Sequence, residues 1–385
     1  MNPLLPTKTF CILPWIHFFH EPNGEFSPCC SANKQAVSFG NLRDFATVDD
    51  IINSPAMRQV RKDMLADQQN PACANCYRQE SFGIESFRLS KNNNIAESGL
   101  DQLLANTDAD GTLHNFQIQY WDARFSNICN LKCRMCGPGY SHTWAQEENR
   151  KVNGSYIISA HDTTVWHDII SKYGDLGKLK EVYFAGGEVF FQQEHWLMLD
   201  HLRQLGMQHI RLTYVTNLTR LTMNQYNIED YLTYFTNVLF VVSMDGVDSV
   251  FEYIRSGSNW IKFTNNLETV RKFNINIRFN IVVTIYNILS LHKVFDFIAD
   301  NGFDKYDVTV ANSPDYQVIA NLPTELKDIA TQRLERYPRA RPVLNFMMQS
   351  PITNWSTVIA NTNKLDDVRG ENVLDVVPEF KPYWN

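Results

Sequence analysis

An α/β fold with a parallel sheet is the class that the sequence predicts, and three observations carry that prediction. Six apolar runs of strand length follow residue 115, and segments of helix length separate them. Within those segments the apolar residues recur every three or four positions, which is the period of an amphipathic helix. Strict alternation of the two patterns is typical of crossover units, whose sheet is parallel and covered on both faces.

The strand-like runs and the helical segments can be placed in order along the chain. The strands are predicted at 116–125, 180–188, 209–217, 238–246, 275–284 and 305–312. Helical periodicity covers 192–206, 222–237, 259–274 and 289–302. This succession favours a partial (β/α)6 TIM-like barrel over a doubly wound sheet. Either architecture puts the chemistry at the carboxyl ends of the strands.

Length and charge set the expected domain organisation and exclude some partners. At 385 residues the chain exceeds one average domain, and we expect a small N-terminal module at 1–100, a barrel at 115–315 and a C-terminal extension at 316–385. The extension is a candidate lid. Lysine plus arginine total 35 against 42 aspartate plus glutamate, a net charge of −7. Such a surface is not built to neutralise phosphates, so nucleic acid is not an expected partner.

The N-terminal segment and the cysteines indicate the compartment. Pro14, His17 and His20 interrupt the first apolar run, and we interpret this run as part of the fold rather than as a signal peptide. No stretch reaches the roughly 18 apolar residues of a spanning helix, so we expect a soluble, cytoplasmic protein without a membrane partner. In a reducing compartment its eight cysteines are expected to be metal ligands or redox pairs and not disulfides.

Three of the cysteines lie in one short loop. Within NICNLKCRMCGP, residues 127–138, Cys129, Cys133 and Cys136 have the spacing C-x3-C-x2-C, directly after the first predicted strand. Thiolates select zinc, copper(I) or iron-sulfur clusters. A 4Fe-4S cube held by three thiolates keeps one iron open to an outside ligand. The alternative is a zinc loop completed by a histidine such as His142, because a structural zinc ion takes four ligands.

This loop, together with a Gly-Gly-Glu sequence at the end of the second predicted strand, resembles the radical S-adenosylmethionine superfamily. The resemblance covers about residues 115–315. It implies that the three cysteines hold a 4Fe-4S cluster whose open iron is chelated by the amine and carboxylate of S-adenosylmethionine. It also implies that an electron from the cluster cleaves the sulfonium, and that the resulting 5′-deoxyadenosyl radical takes a hydrogen atom from a substrate.

The resemblance gives the Gly-Gly-Glu sequence a role in binding S-adenosylmethionine. Gly186 and Gly187 let the backbone approach a ligand closely, and Glu188 is expected to pair with the methionine ammonium. Proline commonly follows these three residues in the family, but this chain has Val189. An ordinary turn from strand to helix is the alternative interpretation of the same three residues.

Four further residues match cofactor contacts of the family. Asn217 and Ser243 resemble the residues that make the family's ribose and backbone contacts with S-adenosylmethionine. Met135 stands where an aromatic residue is common and is expected to pack on the adenine. Arg255 is expected to pair with the methionine carboxylate, which suits a bidentate guanidinium. Its alternative is an exposed arginine at a helix end. Asp245 is expected to shape the turn.

The first hundred residues contain a second ligand set. Cys11, twelve residues, Gly24, four residues and Cys29, followed by Cys73-x2-Cys76, resemble the single-cluster twitch form of the SPASM domains. That resemblance implies an auxiliary 4Fe-4S cluster held by four cysteines. In related enzymes this module follows the barrel, whereas here it precedes it. A structural zinc ion is the alternative, because two pairs of cysteines are also a zinc pattern.

Cys30 is left outside both ligand sets. We expect it to be a buried small residue. The alternatives are a replacement ligand for Cys29 or a thiol that returns a hydrogen atom to a substrate radical.

Taken together, the two ligand sets predict a radical S-adenosylmethionine oxidoreductase that performs a net oxidation with help from its auxiliary cluster. The expected cofactors are two 4Fe-4S clusters and S-adenosylmethionine. The expected partners are a small-molecule or peptide substrate and a reducing donor such as flavodoxin or ferredoxin. Radical modification of a peptide or protein side chain is one alternative, and a non-catalytic zinc-stabilised binding protein is another. The sequence does not identify the substrate.

Overall fold

The computed structural model describes residues 5–81, 83, 85–93, 98–163 and 166–384. Its strands are β1 (His17–Phe19), β2 (Tyr120–Ala123), β3 (Glu181–Phe184), β4 (Arg211–Thr216), β5 (Thr222–Met223), β6 (Tyr226–Asn227), β7 (Asn237–Ser243), β8 (Asn276–Val283) and β9 (Tyr306–Val310). The helices up to residue 204 are α1 (Leu13–Ile16), α2 (Val48–Ile52), α3 (Pro55–Leu65), α4 (Ala74–Ser81), α5 (Phe87–Asn92), α6 (Leu100–Ala105), α7 (His142–Glu147), α8 (Trp166–Ser171) and α9 (Gln193–Gln204). The later helices are α10 (Ile228–Leu232), α11 (Asp248–Ile254), α12 (Trp260–Val270), α13 (Leu291–Asp300), α14 (Thr324–Leu334), α15 (Arg341–Met347), α16 (Trp355–Arg369) and α17 (Val373–Val376).

The main sheet has seven strands in the order β1-β2-β3-β4-β7-β8-β9, and β5 pairs with β6 in a separate antiparallel hairpin. The pairs β1-β2, β2-β3, β7-β8 and β8-β9 are all parallel. All six predicted strands are present. The predicted α/β class with a parallel sheet is therefore confirmed, and the architecture is consistent with a partial TIM-like barrel. Strand β1 was not predicted, because three residues are too few to show a period.

The predicted helices are present with one correction. Segments 192–206, 259–274 and 289–302 contain α9, α12 and α13. The prediction for 222–237 is wrong over its first six residues, which form the β5-β6 hairpin. Asn224 takes a positive φ of 52° in that turn, a conformation that asparagine tolerates better than most residues. Helix α10 starts only after Asn227, whose side chain accepts a hydrogen bond from the Glu229 amide.

Contacts divide the chain into two compact units, which are described separately. The first unit comprises Met1–Ile128, Val152–Thr213 and Tyr234–Asn237, and the second comprises Cys129–Lys151, Tyr214–Thr233 and Val238–Asn385. Each unit draws on several stretches of the chain. The linear division into 1–100, 115–315 and 316–385 therefore stays a prediction.

Strands β1 and β2 of the first unit have one apolar face and one face that mixes aromatic and polar side chains, because successive side chains alternate across a strand. Trp121 is fully buried and meets Phe18 edge-on, with 6.0 Å between the ring centroids. On the other face His17 stacks on Tyr120 at 4.4 Å, and Asp122 accepts two hydrogen bonds from Arg124. His17 is buried.

A buried arginine ties the N-terminal helices of the first unit together. The Arg61 side chain of α3 is fully buried and donates hydrogen bonds to the carbonyl oxygens of Pro14, Ile52 and Gly111 and to Oδ1 of Asn53. A buried guanidinium is tolerated when its donors are paired in this way. The N-terminal segment is therefore part of the fold, as the sequence indicated. Among the described residues, no helix combines the length and the apolar character needed to cross a membrane.

Candidate metal centres

The loop with three cysteines belongs to the second unit and is fixed by backbone hydrogen bonds. The amide of Lys132 donates to the carbonyl of Ser256 at 2.9 Å, and the amide of Arg134 donates to the carbonyl of Ile254 at 2.8 Å. The indole of Trp144 donates to the carbonyl of Cys133 at 2.8 Å. Carbonyl and amide groups that would otherwise point into solvent are thereby held in one conformation, so the cysteines project from a defined backbone.

Two of the predicted cofactor residues reach the sulfurs of this loop. Nδ2 of Asn217, just after β4, lies 3.9 Å from Sγ of Cys129, and Nη1 of Arg255 lies 3.7 Å from Sγ of Cys133. Hydrogen bonds to the sulfurs are one of the means by which a protein tunes an iron-sulfur cluster. The second unit therefore brings Asn217 and Arg255 to the cysteine loop.

Burial makes the thiols of this loop weak acids. It raises the pKa of the Cys133 thiol to about 12, against the opposing charge of Arg255, and it raises the pKa of the Cys136 thiol as well. A metal that binds such thiols deprotonates them and compensates the buried negative charge. A donor set of three soft sulfurs in a fixed loop fits an iron-sulfur cluster.

His142 is turned away from a role as the fourth ligand of a zinc ion. Its Nδ1 accepts a hydrogen bond from the amide of Cys129 at 3.1 Å. Burial lowers the pKa of His142, and in the neutral ring an accepting Nδ1 puts the proton on Nε2. Neither nitrogen then offers a lone pair to a metal. This geometry speaks against the zinc loop that the sequence left open.

Arg255 is buried and not exposed at a helix end, which corrects the alternative interpretation from sequence. Its Nη2 lies 2.7 Å from Oδ2 of Asp245, and only 7% of Arg255 is accessible to solvent. Asp245 is fully buried, and its Oδ1 accepts a hydrogen bond from the amide of Val282 at 2.7 Å. Asp245 therefore does more than shape a turn, because it orients the guanidinium that faces Cys133.

A second buried arginine lies inside the cysteine motif itself. Arg134 is an ion-pair partner of both Asp366, at the end of α16, and Glu371. Its guanidinium carbon lies 3.6 Å from the centroid of the Tyr253 ring, and its own carbonyl accepts a hydrogen bond from Gln317. The C-terminal extension thus binds the cysteine loop through the ion pairs of Arg134. Its predicted role as a lid stays a prediction.

The remaining predicted residues of the second unit take intermediate positions. Met135 and Ser243 are both half-buried. Ser243 is the last residue of β7 and pairs in register with Asn280 of β8. Ser243 thus stands at the carboxyl end of a strand, where the fold places chemistry. Their contacts with S-adenosylmethionine stay predictions.

The Gly-Gly-Glu sequence belongs to the first unit and packs against the backbone that leads into the cysteine loop. A Cβ at Gly187 would lie 2.2 Å from the carbonyl oxygen of Ile128, and Gly186 has a φ of +108°. The amide of Glu188 donates to the same Ile128 carbonyl at 2.7 Å. Both glycines are therefore required by the fold itself. Glu188 is buried, and its role toward the methionine ammonium stays a prediction.

Four cysteines of the first unit line one cavity. They are Cys11, Cys29, Cys73 and Cys76, and the other side chains around the cavity are mostly apolar. All four are free thiols, and burial raises the pKa of the Cys73 thiol to about 12. Four cysteines around one cavity are, in number and donor type, the ligands of a fully protein-ligated iron-sulfur cluster. Across the described residues, no group of three or more His, Cys, Asp and Glu side chains is arranged to hold a single metal ion.

The expectation that Cys30 is a buried small residue is wrong. Its side chain is exposed, and it is not among the residues that line the cavity of the neighbouring Cys29. The charges nearest its thiol are those of Asp122 and Arg124. Cys29 and Cys30 lie in a turn that the hydrogen bond from the Ala32 amide to the Cys29 carbonyl closes at 3.1 Å, and only Cys29 lines the cavity.

Comparison with family models assigns both cysteine regions to known domains. Residues 124–298 match the radical SAM superfamily, in which SAM is S-adenosylmethionine. The chain contains a radical SAM domain. Residues 11–77 match SPASM, an iron-sulfur cluster-binding domain, so the SPASM domain precedes the radical SAM domain in this protein. The two domains imply iron-sulfur clusters and the binding of S-adenosylmethionine. The predicted family, its N-terminal cluster domain and its general cofactors are thereby confirmed.

Solved structures are similar to this radical SAM protein over part of its length. Native anSMEcpe with bound AdoMet is 18% identical, covers 59% of this chain and 61% of its own, and gives a TM-score of 0.41. Native anSMEcpe with bound AdoMet and the Cp18Cys peptide is 18% identical, with 60% and 62% covered and a TM-score of 0.39. The structure of TYW1 with a lysine-pyruvate adduct bound is 12% identical, with 56% and 71% covered and a TM-score of 0.28. The chain thus spans less than two thirds of the first two structures. No curated protein matches it.

Sequence reasoning missed three side chains around the two cysteine sets. Asp245 was assigned only to the turn, Arg134 was not singled out although it stands between two cysteines, and Arg88, which lines the four-cysteine cavity, was not considered. A positive residue inside or beside a cysteine motif is the signal that was available. The ion-pair partners of such a residue could not be predicted, because they lie far from it in the sequence.

Proposed function

We propose that this radical SAM protein reductively cleaves S-adenosylmethionine and oxidises a small-molecule or peptide substrate with the help of an auxiliary cluster. Cys129, Cys133 and Cys136 hold the first 4Fe-4S cluster. When bound, cluster and S-adenosylmethionine supply one electron and a 5′-deoxyadenosyl radical. A reducing protein such as flavodoxin or ferredoxin delivers the electron.

The observation that supports a net oxidation of the substrate is the four-cysteine cavity of the first unit. Four cysteines line it, which is the number of terminal ligands that one 4Fe-4S cube takes. A cluster with all four irons ligated by the protein has no open iron for a substrate atom, so its natural role is electron transfer. The balance would then be complete: transfer of a hydrogen atom to the 5′-deoxyadenosyl radical, release of one electron to a cluster held by these four cysteines and loss of a proton would together oxidise the substrate. The substrate loses two electrons and two protons in total.

The residues around the first cysteine set orient the cofactor in this proposal. Asp245 fixes Arg255, and the N–H groups of Arg255 that do not pair with Asp245 bind the methionine carboxylate. Asn217 lies beside Cys129. Gly186, Gly187 and Glu188 provide the backbone edge and the carboxylate for the methionine ammonium. Ser243 contacts the ribose and Met135 packs on the adenine.

The test is anaerobic reconstitution of the full chain followed by iron, sulfide and zinc analysis and an assay for 5′-deoxyadenosine under reducing conditions. Two cubes give about eight irons per chain, and we expect S-adenosylmethionine cleavage. Cys133→Ala is expected to abolish cleavage and to lower the iron content by about four, while Cys73→Ala lowers iron by a similar amount and retains cleavage. Zinc in place of iron, without cleavage in the wild type, would overturn the proposal.

Electron counting separates net oxidation from a reaction that consumes reductant. If the substrate radical returns its electron through the auxiliary cluster, substoichiometric external reductant supports many turnovers. We expect more than one 5′-deoxyadenosine per electron supplied once substrate is present. A ratio of one 5′-deoxyadenosine per electron supplied, in both the wild type and Cys73→Ala, would contradict the proposed net oxidation. The proposed cleavage of S-adenosylmethionine would still stand.

A further inference from the structure

One charged side chain forms part of the wall of the four-cysteine cavity. Arg88, on α5, lines the same space as Cys11, Cys29, Cys73 and Cys76, and only 4% of it is accessible to solvent. An arginine stays protonated even when it is buried. The cavity is therefore lined mostly by apolar groups, and a residue with a permanent positive charge contributes to its wall.

The guanidinium is held in that position from two directions. Nη1 donates to the carbonyl of Phe10, the residue before Cys11, at 2.7 Å, and to the carbonyl of Lys8 at 3.0 Å. Nε donates to Oε1 of Glu80 at 3.0 Å, and Nη2 pairs with the other carboxylate oxygen. Such a fork is the strongest geometry that an arginine and a carboxylate form. The charge is thus fixed and cannot swing into solvent.

The two members of this ion pair differ in their position relative to the cavity. Arg88 is one of the residues that line it. The Glu80 carboxylate, on α4 one helical turn after Cys76, is not among the cavity-lining residues. The arginine is therefore the nearer member of the pair to the space that the sulfurs enclose.

We infer that Arg88 raises the reduction potential of the auxiliary cluster and that Glu80 moderates this effect. Reduction adds a negative charge to an already anionic cluster, and a buried cation at its wall stabilises the reduced state more than the oxidised one. This deepens the proposed function and rests on it, because an electron acceptor needs a potential high enough to oxidise the substrate radical and low enough to pass the electron on.

The experiment measures the potential of the auxiliary cluster alone in the full chain. The background carries Cys129→Ala, Cys133→Ala and Cys136→Ala, so that a redox titration followed by electron paramagnetic resonance reports one cluster. Arg88→Gln is expected to lower the ratio of reduced to oxidised cluster about tenfold at a fixed potential, a shift of ~59 mV for one electron. Glu80→Gln is expected to shift the potential upward, and Arg88→Lys to stay nearer the wild type than Arg88→Gln.

Arg78→Gln is the matched control. Arg78 lies on α4 between Cys76 and Glu80, is exposed, and changes the net charge by the same amount. It is expected to leave the potential unchanged. A purely structural role for Arg88 does not give opposite shifts in the Arg88 and Glu80 variants at constant iron content.

The outcomes separate the two claims. A four-iron cluster whose potential is the same in Arg88→Gln, Glu80→Gln and the background overturns this inference and leaves the proposed function standing. If Arg88→Gln does not retain iron, Glu80→Gln decides alone, and an unchanged potential there overturns the inference. A background protein with zinc or no metal in the cavity overturns both.

Discussion

Arg255 connects Cys133 to Asp245. Its Nη1 lies 3.7 Å from the Cys133 sulfur, and its Nη2 lies 2.7 Å from Oδ2 of Asp245. The carboxylate is fully buried and the guanidinium almost so. The removal of one partner of a buried ion pair leaves the other charge without compensation, which costs more than the pair contributes. The arginine predicted to bind a cofactor carboxylate is therefore also a stability element.

Replacing Arg255 is expected to weaken the protein as well as cofactor binding. Arg255→Met should lower the free energy of unfolding by ~3–5 kcal/mol, as for other broken buried pairs, measured by anaerobic chemical denaturation without S-adenosylmethionine. The control is Arg278→Met, which breaks the exposed pair with Asp307 and should cost at most about 1 kcal/mol. Equal effects of the two substitutions would contradict the buried pairing.

Gly187 is expected to tolerate no side chain. A Cβ there would lie 2.2 Å from the Ile128 carbonyl oxygen, so Gly187→Ala must displace the backbone just before Cys129. We expect a loss of ~1–3 kcal/mol or more from this overpacking, read from the denaturation midpoint. At Gly139, three residues after Cys136, an added Cβ meets nothing within 4 Å. Gly139→Ala should leave the midpoint nearly unchanged.

Loss of Arg134 is expected to release the cysteine loop from the C-terminal extension. Arg134→Met leaves Asp366 and Glu371 without their shared cation. We expect the free energy of unfolding to fall by ~3–5 kcal/mol and the reconstituted iron content to decrease. Arg150→Met, at an exposed residue paired with Glu148, is the control. If Arg134→Met retains both stability and iron, the extension does not support the loop.

Cys29 and Cys30 are adjacent but are expected to behave differently. Cys29→Ala removes a cavity-lining thiol and should lower the reconstituted iron by about four per chain. Cys30→Ala changes an exposed thiol outside the cavity and should leave the iron content unchanged. Metal analysis and the cluster absorbance of the two variants check this. Iron loss in Cys30→Ala would mean that Cys30 is the ligand instead.

Stability is expected to fall in mild acid because of buried neutral histidines. Burial lowers the pKa of His20 to about 3, and it does the same for His17 and His161. The unfolded chain binds protons below pH 6.5 while the folded one does not, so each histidine lowers stability as the pH falls from 6.5 toward 3. The limiting slope is ~1.4 kcal/mol per pH unit for each proton.

Unfolding measured between pH 7.5 and 5.5 tests this contribution. His20→Phe keeps a ring in the aromatic cluster with Phe18 and Trp121 and removes one titrating group. Its free energy of unfolding should decline less steeply with falling pH than that of the wild type. Identical slopes would mean that His20 does not stay neutral in the fold.

The elements that the sequence predicted depend on local patterns, whereas the elements that it did not predict depend on contacts between distant parts of the chain. The strands after residue 115 were readable because apolar periodicity is a local property. Strand β1 and the β5-β6 hairpin were not, since both are too short to show a period and pairing with other strands defines them. Cys30 was misjudged for a related reason, as nothing in a pair of adjacent cysteines tells which of the two faces a cavity.

The sequence by itself determined the two groups of cysteines, the alternation of strands and helices and thereby the presence of a radical SAM domain. These follow from residue type and spacing, which chemistry and the helix and strand periods fix locally. Only the tertiary structure decided which charges accompany the sulfurs: Arg134 meets Asp366 across 232 residues, Asp245 orients Arg255, and Arg88 closes the four-cysteine cavity. Burial and ion pairing depend on which distant segments pack together, and no local pattern records that.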